Sequence, residues 1–338
     1  MKTSSVKSVK PLGFMWPVSD PFLFCAHHYD QYPAGNEAME PVASLKGRNI
    51  GQDFTIKDGW RMYHGEKIPG FPVHPHRGFE TVTIVKMGLV DHSDSHGQAG
   101  RYGDGDVQWM TAGAGLQHCE MFPLINMDQD NPTELFQVWI NLPGSKKFVE
   151  PHFKMLWNEE IPIFKTTDEN EKSTHIKVIA GFIDNVKSNS PAPDSWAADP
   201  ENEVAIWTIK MEPSAKWVIP KTKKDINRHL YFHDGISIIV DGIEIAAYQA
   251  VELKSDMETS IQNGNSNSQL LILQGKPINE PIVSYGPFVM NTKAEIQQAM
   301  YDYQKTQFGG WPWSRKDQVH PRSKGRFAKF KDGTEDIR

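Results

Sequence analysis

Short runs in which apolar and polar residues alternate, separated by glycine and proline turns, fill most of this chain and predict β-strands. In "FETVTIVKMG", Thr81 and Thr83 alternate with Val82 and Ile84, so the two faces meet different surroundings. "DPFLFCAHHYD" reads as a short buried strand opened by Asp20-Pro21, and "DVQWMT" as a strand returning from a polar connection. "ELFQVWINLP", dense in β-branched and aromatic residues, closes a first barrel. Strand signals resume with "HIKVIAGF", "EVAIWTIKM", "AKWVIP", "ISIIVDGIEIAAYQAVEL" and "SQLLILQG", where "VDG" marks a hairpin. They repeat the order of the first half at low similarity. A single helical pattern follows: Thr292 and Glu295 form a capping box, and Ile296, Ala299, Met300 and Tyr303 recur at helical spacing before Gly309.

The intervening segments carry weaker patterns. The Lys/Ser-rich first dozen residues read as a mobile tail, and residues 30–59 as a long connection. "VDHSDSHGQAGRYGDG" reads as a polar hairpin connection that leaves His92 and His96 on the surface. The acidic stretch up to Lys172 reads as a solvated linker. The expected organisation is therefore a barrel over 1–150, a linker over 151–172, a second barrel over 173–290, and a helix with a basic, aromatic tail over 291–338. That tail, with Trp311, Trp313, Phe327 and Phe330 among its charges, is expected to pack against the body.

Composition narrows the function. The 338 residues suffice for two domains of roughly 150 each. Lys and Arg number 36 against 42 Asp and Glu, which argues against a nucleic-acid binder held by phosphate contacts. With two cysteines there is no disulfide framework, and a reducing compartment is expected. No signal peptide or membrane span is evident, so the expectation is a cytoplasmic protein, and a monomer because two barrels can bury each other's faces.

Two clusters between Phe71 and Phe122 carry the candidate chemistry: His74-Pro75-His76 and His118-Cys119-Glu120. Residues two apart on a strand share a face, so His74 and His76 point one way, as do His118 and Glu120. Cys119 turns to the opposite face and packs. Three imidazoles and a carboxylate on one interior are a donor set for a borderline first-row metal, iron above all, with manganese, cobalt, nickel or zinc as substitutes. Glu80 shares the parity of His74 and His76, so it is a further ligand or a residue that holds an imidazole. His64 stands alone and reads as surface or supporting, as do the adjacent His27 and His28. The second half lacks any H-x-H, and His229 and His233 are not spaced to share a metal.

"FPVHPHRGFETVTIV", "GDVQWMTAGAGLQHCEMF", "EPIVSYGPFVMNT", "DPFLF" and "DGWRMYHG" together resemble the pirin family of the cupin superfamily, from about Gly13 to Gly309. The resemblance implies an all-β bicupin: two antiparallel jelly-roll barrels packed together, only the N-terminal one holding metal. It implies Fe(II) on His74, His76, His118 and Glu120, and chooses Glu120 over Glu80. It further implies a quercetin 2,3-dioxygenase acting on a flavonol-like molecule and O2. On that reading Glu120, beside the open metal positions, is the candidate catalytic base, and Trp109, Met110, Phe122 and Phe136 form either an apolar wall or ordinary core packing. A different reading, also implied by the family, is a regulatory protein that binds a transcription factor or metabolic enzyme. A zinc or manganese isomerase is a third, against which no Lys/Arg phosphate cluster surrounds the motifs.

Overall fold

The alternation becomes antiparallel sheet throughout the computed structural model, which describes residues 4–338, with one α-helix toward the C-terminal end. The chain forms two compact all-β units that exchange segments along the sequence. One comprises residues 4–26, Trp139–Asn141 and Glu159–Asn279; the other His27–Val138, Leu142–Asn158 and Glu280–Arg338.

The first of these units holds a seven-stranded sheet in the order Val6–Pro11, Gln249–Lys254, Asn227–Asp234, Ser268–Gly275, Ala205–Met211, Ser173–Ala180, Ile163–Thr167. A four-stranded sheet accompanies it, in the order Lys216–Ile219, Thr259–Asn263, Ser237–Val240, Ile243–Ala246. Val178, Trp207, Ile209, Leu230, Phe232, Ile261 and Ile272 are buried in one core, as alternate residues of facing strands must be. The "VDG" hairpin forms as expected. Val240 pairs with Ile243, and Asp241 and Gly242 both take positive φ, 47° and 82°, as a two-residue turn matched to strand twist requires.

Two weak-pattern segments of the chain are ordered, against the sequence expectation. Residues 1–3 of the expected mobile tail lie outside the described residues, and beyond them Val6–Pro11 pairs antiparallel with Gln249–Lys254. Within 151–172, His152–Leu156 pairs with Val107–Thr111 and Ile163–Thr167 with Ser173–Ala180. Ile163–Thr167 lies at a sheet edge with alternate residues in solvent, which is why its hydropathy resembles a linker.

In the second unit, a six-stranded sheet runs in the order Glu335–Ile337, Phe327–Lys329, Ala99–Gly103, Leu89–Asp94, Leu116–Met121, Gly70–His76. A five-stranded sheet runs His152–Leu156, Val107–Thr111, Phe79–Met87, Asn131–Asn141, Phe22–Tyr32, of whose last two strands residues 131–138 and 27–32 belong to this unit. The "VDHSDSHGQAGRYGDG" connection is thus two buried strands. Its polarity is satisfied internally: Asp91 takes two hydrogen bonds from Arg101, at 2.7 and 2.8 Å, and Asp94 accepts from the backbone N–H of His96 and Gln98.

Arg101 also holds the C-terminal segment. Its remaining donors go to the backbone carbonyls of His320 at 2.9 Å, Pro321 at 2.9 Å and Lys324 at 2.7 Å, so all five N–H groups are used. Phe327–Lys329 then pairs with Ala99–Gly103, and the tail packs as expected. Cys119 is buried with Ile68 and Met121 under Trp311 and Val319. The helix, Lys293–Thr306, opens on the Thr292–Glu295 capping box and buries Ile296 and Ala299, whereas Met300 is exposed.

The glycine turn that delivers Leu116–Met121 admits no side chain at Gly113. Its φ is +47°, and a Cβ there would lie 2.1 Å from the Val149 carbonyl oxygen. Gly113→Ala is expected to cost about 2–4 kcal/mol by denaturant unfolding. Gly97→Ala, at φ +80° with open space around it, is expected to cost about 1 kcal/mol.

Candidate metal centre

His74 and His118 are direct cross-strand partners between Gly70–His76 and Leu116–Met121. On the other side of Leu116–Met121, Leu89–Asp94 sets His92 opposite Glu120 and Asp94 opposite His118. Period-two projection then gathers the imidazoles. The ring centroids of His74, His76 and His118 lie 4.5–4.9 Å apart, and one ligating atom of each falls within 4.8 Å of the others. Glu120 Oε2 lies 3.8 Å from His118 Nε2.

The tautomers follow from the partners. His74 Nδ1–H donates to the Pro72 carbonyl at 2.8 Å, which leaves Nε2 with its lone pair. His92 Nε2–H faces Asp94 Oδ2 at 3.5 Å, and Gln108 Nε2 donates to His92 Nδ1 at 3.3 Å. His92 Nδ1 is therefore an acceptor, so His118 donates from Nδ1, 3.4 Å away, and its Nε2 carries the lone pair. That Nε2 is buried and has no hydrogen-bond partner.

Burial pulls the pKa of all three imidazoles down, His74 to about 4 and His76 and His118 well below the ordinary histidine range. They are neutral at neutral pH, as ligation requires. Burial pushes the Glu120 carboxyl the other way, upward. Its hydrogen bonds oppose that shift: the Thr83 hydroxyl at 2.9 Å and the Tyr102 hydroxyl at 3.5 Å face Oε1, and Gln137 Nε2 faces Oε2 at 3.3 Å. A cation beside the carboxylate would offset the remaining cost of burial. Converging neutral imidazoles, a buried unpartnered Nε2 and a buried carboxyl beside it fit a bound metal ion.

The other candidates are placed elsewhere. Glu80 Oε1 accepts from Thr111 Oγ1 at 2.7 Å and Trp109 Nε1 at 3.2 Å on the neighbouring strand. His64 is exposed and bonds to the Gly51 carbonyl. His28 bonds to the Tyr63 hydroxyl and His27 to Glu134. Trp109, Met110, Phe122 and Phe136 are all buried, Phe122 with Tyr63 and Tyr102, and Met110 with Ala112 and Leu116, so core packing accounts for them.

One residue overturns its sequence reading. His92, expected on the surface, has no solvent exposure; its ring stacks on Phe153 and its Nδ1 holds the His118 proton. Hydropathy hides it because Asp91-His92-Ser93-Asp94 is polar on both faces. The signal that could have found it is length: a strand-sized run between Gly88 and Gly97.

A family model described as "Pirin" matches residues 19–140, and one described as "Pirin C-terminal cupin domain" matches 206–309. A Pseudomonas aeruginosa protein with the provisional name quercetin 2,3-dioxygenase is 35% identical over 239 residues, covering 71% of this chain and 79% of that protein. Pirin from Homo sapiens is 32% identical over 285 residues, covering 81% and 91%. Among solved structures, a quercetin 2,3-dioxygenase from Acinetobacter baumannii is 27% identical with a TM-score of 0.71, covering 90% of this chain and 98% of that one.

Because His92 fixes the proton of His118, His92→Phe should leave the fold intact and weaken divalent-metal binding roughly 10- to 100-fold in chelator competition. An unchanged affinity would show that His118 needs no such support.

Proposed function

Because this chain belongs to the pirin family, we propose that its histidine cluster binds Fe(II) through His74, His76, His118 and Glu120 and opens the central ring of a flavonol such as quercetin with O2. The observation that carries the reading is the convergence of neutral imidazoles on a buried, unpartnered His118 Nε2 beside the Glu120 carboxyl. Manganese, cobalt, nickel and zinc suit the same donors less selectively.

When bound, the metal supplies Lewis acidity and a template on which both substrates meet. The chain's own residues do the rest. Glu120, ionised beside a cation, takes the proton of the flavonol 3-hydroxyl at Oε2, the oxygen nearer His118. Thr83 then donates to Glu120 Oε1, and Gln137 Nε2 reaches Oε2 at 3.3 Å, so the carboxylate is held in one orientation. Pro72 and His92 keep the lone pairs of His74 and His118 aimed inward. In the overall reaction both oxygen atoms enter the product, two carbon–carbon bonds of the central ring break, and one carbon leaves as carbon monoxide.

Protein loaded with Fe(II) under anaerobic conditions should bleach quercetin absorbance on admission of O2 and consume one O2 per flavonol. Glu120→Gln should lower kcat by roughly 10²- to 10⁴-fold, the scale of a lost general base. His118→Ala should lose metal as well as activity. Tight metal binding with no turnover of any flavonol would sink the dioxygenase reading and favour a metal-dependent binding protein.

A further inference from the structure

The interior face of the seven-stranded sheet is apolar over most of its area, with Trp207, Ile209, Leu230, Phe232, Leu270 and Ile272 buried together. Polar residues share that face, among them Thr174, Ser268 and one cation. Arg228 keeps the spacing of Leu230 and Phe232, Gln274 keeps that of Leu270 and Ile272, and the two are cross-strand partners. Both are buried, Arg228 to 1% exposure.

The guanidinium is fixed but incompletely used. Arg228 Nε donates to Gln274 Oε1 at 2.7 Å, and Gln274 Nε2 donates to the Glu203 carbonyl at 3.1 Å. Arg228 Nη1 is buried with no acceptor, and no carboxylate among the described residues forms an ion pair with it. Glu203 acts on the guanidinium electrostatically without a direct ion pair: its Oε1 pairs with Lys223 at 3.3 Å, and its Oε2 is buried without a donor. The indole N–H of Trp207 is likewise buried without an acceptor. A buried cation that no direct ion pair neutralises carries a desolvation penalty. Consistent with that penalty, burial pulls the Arg228 pKa down to about 10.

These three groups line one cavity of about 460 Å³, within the range of small-molecule sites, whose walls include Ile183, Val204 and Pro220. Arg228 Nη1 and Trp207 Nε1 are donors, Glu203 Oε2 is an acceptor, and the walls between them are apolar. The complement is an anionic acceptor group and a neutral donor joined by an apolar body.

We propose that this cavity binds a small organic carboxylate bearing a hydroxyl group, its carboxylate on Arg228 and Trp207 and its hydroxyl on Glu203. The site lies wholly within residues 181–274 and does not depend on the activity proposed for the histidine cluster. Water could satisfy the same polar atoms, but it would bring no negative charge into contact with the guanidinium.

The test is calorimetric titration of the full chain with 4-hydroxybenzoate, with benzoate and methyl 4-hydroxybenzoate for comparison. 4-Hydroxybenzoate should bind with a Kd between about 1 μM and 1 mM, and the uncharged ester should not bind measurably. Arg228→Met should weaken binding at least about tenfold, the scale of one charge-assisted hydrogen bond, and Trp207→Phe a few-fold. Glu203→Gln should weaken 4-hydroxybenzoate more than benzoate. His118→Ala should leave the affinity unchanged, which separates this cavity from the histidine cluster. If Arg228→Met fails to fold, Arg228→Lys and Trp207→Phe decide the matter. No binding of either acid at about 10 mM would overturn the proposal, as would an unchanged Kd in the folded Arg228 and Trp207 variants, leaving a cavity filled by water only.

Discussion

The register between Gly70–His76 and Leu116–Met121 is the constraint on which the histidine cluster depends. Side chains on a strand alternate with period two, so a one-residue slip would turn His74 and His76 to one face and His118 and Glu120 to the other. The pairing of His74 with His118 forbids that slip. Leu89–Asp94 locks the same strand from its other side, with His92 opposite Glu120. The donor set is thus a property of three strands in one sheet, and no mobile loop has to close to assemble it.

Beyond the ligating atoms, the partners of the cluster decide where protons sit. Pro72 and His92 force two imidazoles into one tautomer each, through a carbonyl that can only accept and a ring nitrogen already committed to accepting. Around Glu120 the donors are side chains: Thr83 and Tyr102 face Oε1 and Gln137 faces Oε2, so the carboxyl is held in place while burial still raises its pKa. A cation beside it would offset that burial cost.

Much of the molecule was legible in the sequence because burial leaves a period. The strands, the "VDG" turn and the Thr292 cap all follow from local rules, and the H-x-H and H-C-E spacings place the candidate donors on one face. Parity alone could not separate Glu80 from Glu120. The difference lies in which neighbours each meets: Glu80 is engaged by Thr111 and Trp109, whereas Glu120 lies beside His118. Segments whose polar groups satisfy one another misled the reading, because hydropathy records composition and not pairing. Asp91 with Arg101 and His92 with Asp94 look solvated in sequence and are buried in the fold. Arg228 was hidden for the opposite reason, since a single cation in an apolar strand leaves no trace in a period.

The short strand Phe327–Lys329 carries a consequence for the order of assembly. It covers the Ala99–Gly103 edge of the sheet that bears the histidines, and Arg101 waits for carbonyls more than two hundred positions further along the chain. A ribosome therefore completes all the candidate ligands, and the whole of the other unit, before the edge beside them is covered. During that interval Arg101 has only Asp91 to hold, and the nascent sheet presents an open row of backbone donors and acceptors to any neighbouring chain. Synthesis of Phe327–Lys329 ends that exposure.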